Sequence, residues 1–228
     1  MQMLINDKCK GFTLIEVLIA TMIFSIIIIA LFSSINSFVI SSQTVKENIA
    51  HIEKIRDVIK RITRDIEALY VLQPPRYKKP EFNSEPDPYR LTGEEVIMGQ
   101  SVVSTISFAS LAHTISGDDQ RLGVARIVYY LKENENNLYD LYRSDSLLPF
   151  PEEQQLCSDP VLCRNISEFK IVYRNFKGDE YSFWDSDEQE FQFTFPASID
   201  LKITFGSEEK SKVFETSFAM IAGREPIE

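Results

Sequence analysis

The stretch from Phe12 to Val45 constrains this chain more than any other, because it contains no Lys, Arg or Asp and only one formal charge, Glu16. Its centre, VLIATMIFSIIIIALF (Val17 to Phe32), is almost pure hydrocarbon. Together with Phe12 to Ile15 it reaches the roughly 20 residues that a helix needs to span a bilayer. Lys8 and Lys10 stand just before it, so the positive-inside rule places the short N-terminal part in the cytoplasm and exports the chain beyond about residue 40. A cleavable signal peptide has a shorter apolar core with a small-residue cleavage site behind it. SSINS after Phe32 imitates such a site only weakly, and the helical period runs on through it. Cys9 precedes the apolar run, whereas a lipoprotein cysteine would come after it.

An ionised group in a membrane helix is costly and persists by finding a partner or a function. Cutting between Gly11 and Phe12 would create an α-amino group about one helical turn from Glu16, and a carboxylate near a helix N-terminus is also favoured by the macrodipole. The amine can belong to the same chain or to a neighbour. In the second case Glu16 sets the register of subunits packed side by side in lipid. On this residue alone, a tolerated interfacial carboxylate is the equal alternative.

The flanking residues separate the two readings. KGFTLIEVLIA resembles the class III leader junction of prepilin-like proteins: a short basic leader ending in Gly, then Phe, then an apolar helix with Glu at the fifth mature position. Gly11, Phe12, Thr13, Leu14 and Glu16 all fit. The resemblance implies cleavage after Gly11 and N-methylation of Phe12 by a prepilin peptidase, followed by insertion into a helical filament through Glu16.

Beyond the anchor, apolar residues fall at Val45, Ile49, Ile52, Ile59, Ile62, Ile66 and Leu69. That spacing predicts one apolar face on a continuing helix. Lys54, Arg56, Lys60, Arg61, Arg64, Glu47, Glu53, Asp57, Asp65 and Glu67 are expected on the remaining surface, with Pro74-Pro75 as the stop. The rod is thus read from Phe12 to about Leu72, its second half laid on the chain's own sheet. Gln73 to Glu95 is proline-rich and charged and reads as an irregular loop. Alternating runs then predict strands over 101–110, 124–132, 138–144, 166–174, 180–184, 191–195, 198–205 and 212–220. ENENN (133–137) and NFKGDE (175–180) supply turn chemistry between them. Ile199, Leu201, Ile203 and Phe205 would share one face, as in an antiparallel sheet with one wet side. The expected class is α+β and pilin-like, a long N-terminal transmembrane helix packed on a mostly antiparallel β domain. The segments would be a leader (1–11), an assembly helix (12–40), its continuation (41–72) and a β-rich domain (73–228).

The order of these elements narrows the resemblance. RIVYYLKENENNLYDLYRS, ISEFKIVYRNFKGDEYSFWDSDEQEFQFTFPASIDLKITF and FETSFAM look like the J-type minor pseudopilin of the type II secretion system. There a tyrosine-rich strand leads to an arginine-bearing one, a later strand ends in Trp, and a proline-containing stretch opens the penultimate strand. Tyr129, Tyr130, Arg143, Trp184 and Pro196 stand at these places. The resemblance implies a tip subunit in the inner membrane. Its partners would be I-, K- and H-type minor pseudopilins, the major pseudopilin and the prepilin peptidase. A minor type IV pilin that primes a surface pilus shares the leader and the rod and is the alternative reading.

The formal net charge of −10 suits a soluble exported surface and poorly suits nucleic acid, whose phosphates need Lys and Arg. Cys157 and Cys163 flank SDPVL. Such a pair suits a disulfide-closed loop in an oxidising compartment, with free thiols as the alternative. A zinc site lacks a second pair, since only His51 and His113 remain as imidazole donors. Ser110 and His113 in FASLAHT lack a Gly-rich nucleophile elbow. Asp185, Asp187, Glu188 and Glu190 have calcium-like spacing without the glycine of an EF-hand loop, and read as a solvated turn. Trp184 reads as a core aromatic. The chain is therefore read as a structural subunit, not an enzyme, and no cofactor or metal is expected.

Overall fold

The computed structural model describes residues 12–81, 84–98, 101–114, 121–148, 159–206 and 211–226. The chain divides into two compact units, residues 1–53 and 54–228. Helix α1 (Leu14–Glu67) begins in the first unit and ends in the second.

In the first unit, Leu14–Ser42 is long and apolar enough to cross a membrane, and none of it is buried. At 1.5 Å per residue its 29 residues rise about 44 Å, against a hydrocarbon core of about 30 Å. Two of its hydroxyls turn back on the helix. Thr21 Oγ1 donates to Leu18 O at 3.0 Å and Ser25 Oγ to Thr21 O at 2.8 Å. These two hydroxyl protons are thereby kept from facing an apolar solvent unpaired.

In the second unit, the last turns of α1 bury Ile55, Val58, Ile62 and Ile66, followed by Leu69. Val45, Ile49 and Ile52, which continue the same apolar series, remain 52%, 50% and 38% exposed. The packed face therefore differs from the expected one: it uses Ile55 and Val58, and it includes Asp65, which has no exposed surface. The helix stops where strand β2 (Ser101–Ser110) satisfies its carbonyls. Ser110 Oγ donates to Asp65 O at 2.8 Å, Leu111 N–H to Ala68 O at 2.9 Å, and Tyr70 N–H to Ala109 O at 2.9 Å. The groups a helix end leaves open are met by the end of a strand.

Nine antiparallel strands make up the sheet among the described residues. Besides β2 they are β1 (Thr92–Met98), β3 (Ala125–Glu133), β4 (Tyr139–Leu147), β5 (Val161–Arg174), β6 (Glu180–Tyr181), β7 (Trp184–Asp185), β8 (Ser198–Phe205) and β9 (Lys212–Ala219). The order is β7-β1-β2-β3-β4-β5-β8-β9, with β6 paired to β5. The sheet curls on itself. Ile171 N–H of β5 donates to Ser104 Oγ of β2 at 2.9 Å, although these strands are not ladder neighbours. Gly93 in β1 makes room for this closure: a Cβ there would fall 1.7 Å from the Tyr173 hydroxyl of β5.

Both expected turns form. Asn134 Oδ1 accepts from Asn136 N and Leu138 N, and Asn137 takes φ 56. Asn175 Oδ1 accepts from Lys177 N and Asp179 N, with Gly178 at φ 90. In β8, Ile199, Leu201, Ile203 and Phe205 all face the core.

Four assignments are corrected. Helix α1, read to about Leu72, ends at Glu67 because the end of β2 takes over its carbonyls, and residues 180–184, read as one strand, divide into β6 on β5 and β7 on β1. Residues 92–95, read as loop, open strand β1; its exposed Glu94 and Glu95 conceal the alternation. Residues 191–195, read as a strand, form a one-turn 3-10 helix (Gln189–Phe191) and a loop in which Gln192 and Phe193 have φ 53 and 55. Phe191, Phe193 and Phe195 are buried but lie outside any ladder: Phe191 packs on an indole, Lys79 lies over the Phe193 ring and the Arg224 guanidinium near that of Phe195. Trp184 stacks on Phe191 at 4.2 Å and its Nε1 donates to Thr194 O at 3.0 Å.

Candidate functional site

The start of α1 is a capping box. Thr13 precedes the first helical residue and Glu16 lies three positions on. Glu16 Oε2 accepts from Thr13 N–H at 3.0 Å and from Thr13 Oγ1 at 2.9 Å. Glu16 N–H reaches back to Thr13 Oγ1 at 3.4 Å. This reciprocal arrangement satisfies orphan donors at a helix start. It also answers a carboxylate that is otherwise set among exposed apolar side chains, with Phe12 and Leu14 each 86% exposed and Ile15 63% exposed. Glu16 Oε1 accepts no hydrogen bond among the described residues. Sequence reasoning gave Glu16 an amine as its partner; the fold adds the Thr13 cap, which the pattern Thr-x-x-Glu signals directly. Gly11, on the other side of the expected cleavage point, lies outside the described residues, as does Cys9.

The second polar centre lies between the end of α1 and the sheet, within residues 54–228. Arg143 of β4 donates from Nε to Asp65 Oδ2 at 2.6 Å and from Nη2 to Asp65 Oδ1 at 3.2 Å. Tyr129 Oη donates to Asp65 Oδ2 at 2.5 Å, and Arg61 Nε lies 3.2 Å from Asp65 Oδ1. Arg143 also reaches Asp145 Oδ2 at 2.6 Å. Asp145 in turn holds His113 Nδ1 at 2.6 Å and accepts from Thr114 N–H at 2.8 Å. Burial pushes the Asp145 carboxyl up, but His113, Arg143 and Thr114 N–H together hold it below the usual carboxylate range. Burial works against the Arg143 charge, and Asp65 and Asp145 more than offset it. Burial and the neighbouring Asp65 charge raise the Tyr129 phenol.

Sequence reasoning missed this cluster, yet the signals were present. Asp65 falls at stripe spacing between Ile62 and Leu69, and Arg143 continues the inward alternation Tyr139, Leu141. The cluster fastens helix to sheet. Each buried Ile, Val or Leu of the stripe contributes about 1.5–3 kcal/mol, so the five of them outweigh the several kcal/mol that desolvating one well-paired carboxylate costs.

The remaining expected positions are scattered. Asp185 pairs with Arg90 at 2.6 Å, and Asp187 accepts from Tyr77 Oη at 2.8 Å and Asp87 N–H at 2.7 Å. Glu188 and Glu190 point to solvent. The four acids therefore do not converge, and no group of three metal-ligating side chains occurs among the described residues. Trp184 is 2% exposed, Tyr130 stacks on Tyr142, and Pro196 is buried. Ser110 Oγ donates to main-chain oxygens and does not face His113 Nε2. Cys163 is buried in β5, opposite Leu141, and burial pushes its thiol up. Cys157, its expected partner, lies outside the described residues, as does the side chain of His51.

Residues 6–32 match the family described as the prokaryotic N-terminal methylation motif, the signal of type IV pilins and pseudopilins. No curated protein matches the chain. The motif, the apolar helix and the antiparallel domain support a pilin-like protein; the motif implies processing by a prepilin peptidase, and the one long apolar helix among the described residues fits a single-pass membrane anchor.

Proposed function

We propose that this chain is a minor pseudopilin of the type II secretion system, J-type in its domain, and that it helps to initiate the pseudopilus at its tip. The observation that carries the reading is Glu16, a carboxylate at the start of an unburied apolar helix, held among the described residues only by Thr13 of its own chain. Cleavage between Gly11 and Phe12 generates an N-methylated amine beside this carboxylate, and in the filament the amine of one subunit meets Glu16 of the next. The anchor lies in the inner membrane with the leader in the cytoplasm and the β domain in the periplasm. The partners are I-, K- and H-type minor pseudopilins and the major pseudopilin; nucleic acid is not among them. The protein works by packing, not by catalysis. The Cys163 thiol, free in this structure, pairs with Cys157 in a short disulfide once exported to the oxidising periplasm.

A minor type IV pilin priming a surface pilus shares the processing and the helix and differs in its partners. Capture from membranes with the full-length chain separates the two. Recovery of secretion-system minor pseudopilins supports the proposal, and recovery of pilus subunits instead supports the alternative. Peptide mapping without reductant tests the disulfide, which predicts a linked Cys157–Cys163 fragment.

A further inference from the structure

The two ends of the sheet order are treated differently. At one end β7 covers β1 with only Trp184 and Asp185, and a very short edge strand is a common guard against pairing with another chain. At the other end stands β9, 8 residues long and paired to β8 at every position from Lys212 to Ala219 without a register shift. Among the described residues no strand lies on its far side. Met220 N–H donates to Ala197 O at 3.0 Å, on the next rung of the same register. In an antiparallel ladder directly opposite residues bond at every second rung. The even-numbered residues of β9 are therefore bonded to β8, and the N–H and C=O of Val213, Glu215, Ser217 and Ala219 point to the open side. Neither a proline nor a bulge interrupts this edge.

The side chains beside it form two faces. Toward the core, Phe218 is 8% exposed, while Phe214 packs edge-on against Phe205 at 5.9 Å and is only half-buried. On the outer face the register sets Lys170, Lys202 and Glu215 in one row across β5, β8 and β9. A groove of about 540 Å³ runs along this face, and Lys170, Asp200, Lys202, Glu215 and Ser217 line it. Most of its charges are already paired: Lys202 Nζ lies 2.9 Å from Glu168 and Arg174 Nε 2.6 Å from Asp200. Glu215, exposed at the rim, stands beside a lysine that Glu168 already holds. Open main-chain groups on an edge are matched by an extended chain, with alternate side chains supplying specificity. Phe214 calls for apolar side chains on the inner face of that chain, and Glu215 for a cation on its outer face. We propose that β9 is a strand-addition site: an extended segment of a partner protein joins the sheet antiparallel to β9, with apolar side chains over Phe214 and Phe218 and Lys or Arg across from Glu215. Such a site serves a pilus subunit and a pseudopilus subunit alike.

The probe is the fluorescein-labelled, C-terminally amidated peptide Thr-Val-Thr-Val-Lys-Val-Thr, and its binding to the full-length chain in detergent is followed by anisotropy. A Kd of about 100 µM is expected, with no binding of the scrambled peptide Thr-Thr-Lys-Val-Val-Val-Thr. Ser217→Pro removes one outward N–H and leaves the rungs to β8 in place, as proline on an edge strand can. It should weaken binding about tenfold or more, whereas Ser217→Ala, which keeps the N–H, should bind as the wild type does. Glu215→Lys should weaken binding about fivefold and should prefer the same peptide with Glu in place of its Lys. Should Ser217→Pro not fold, this charge exchange decides. No binding of the alternating peptide up to about 1 mM, equal binding of the scrambled one, Ser217→Pro binding as tightly as Ser217→Ala, or a charge exchange without effect overturns the proposal. So does a wild-type dimer that Ser217→Pro converts to monomer, because the edge is then taken by a second copy of the chain.

Discussion

Glu16 and Asp65 stand on the same helix, each among isoleucines and leucines, and their partners differ in kind. Asp65 has no exposed surface and is answered across the fold by Arg143, Tyr129 and Arg61. Glu16 is fully exposed and is answered by Thr13, three residues away on its own chain. The lesson lies in the source of the partner. A carboxylate with partners from distant strands has been absorbed into the fold, and its loss reads out as instability. A carboxylate held only by its own helical turn leaves the fold indifferent to it, so a requirement for its charge has to come from outside the subunit. The same contrast runs through the apolar residues: those from Ile55 onward are buried against the sheet, while those from Phe12 to Ile40 face outward.

The largest test of this contrast is Asp65→Ala. Leaving Arg143 without its main partner in a buried site should cost about 3–5 kcal/mol, read as a lower denaturation midpoint by Trp184 fluorescence. The double variant Asp65→Leu/Arg143→Met should regain much of that loss, since an apolar pair of similar volume can replace a buried ion pair. If Asp65→Ala proves neutral, the carboxylate is not fixed by the fold and the contrast with Glu16 fails.

A smaller effect is expected from one added methyl group. Gly93→Ala drives a Cβ into the Tyr173 hydroxyl and should cost roughly 1–3 kcal/mol. Ala20→Val, on the exposed apolar stretch, should leave the same midpoint unmoved. Equal losses would show that the two regions are packed alike.

Acid sharpens the interior half of the comparison. The folded state holds Asp145 below its usual range, so the unfolded chain binds the proton more readily. That stability is fully present above the unfolded value, near 3.8, and is lost as pH falls through the lower folded value. Asp185, raised by burial, works the other way just above that window. Asp145→Asn should therefore flatten the acid limb of the stability curve; an unchanged limb would place the acid sensitivity elsewhere.

The smallest effect on folding belongs to Glu16. Glu16→Gln should leave insertion and the unfolding midpoint unchanged, yet reduce recovery in filaments by about tenfold or more. Incorporation at the wild-type level would remove the case for an external partner.

Much of the architecture was legible because it rests on short-range chemistry. The apolar run with its Thr-x-x-Glu start, the Asn-rich turns and the alternation of Ile199 to Phe205 are each written within a few residues. What escaped depends on pairs far apart in the chain. Asp65 looks like any surface acid of a charged helix until Arg143, seventy-eight residues later, is brought to it. Strand β1 is concealed by exposed glutamates at its outer positions, and its Gly93 makes sense only beside Tyr173. The phenylalanines of 191–195 alternate as a strand does, but they bury themselves in a loop, Phe191 against Trp184. Asp187, read as part of a solvated turn, is buried beside Arg224 and Asp87, which no local pattern could associate with it.

A role in assembly requires Glu16 to meet an amine that exists only after processing. The direct measurement is the intact mass of the wild-type protein extracted from membranes. The expected mass is that of a chain beginning at Phe12 with one added methyl group. A chain that still carries residues 1–11, or one that begins at Phe12 without the methyl group, would contradict it.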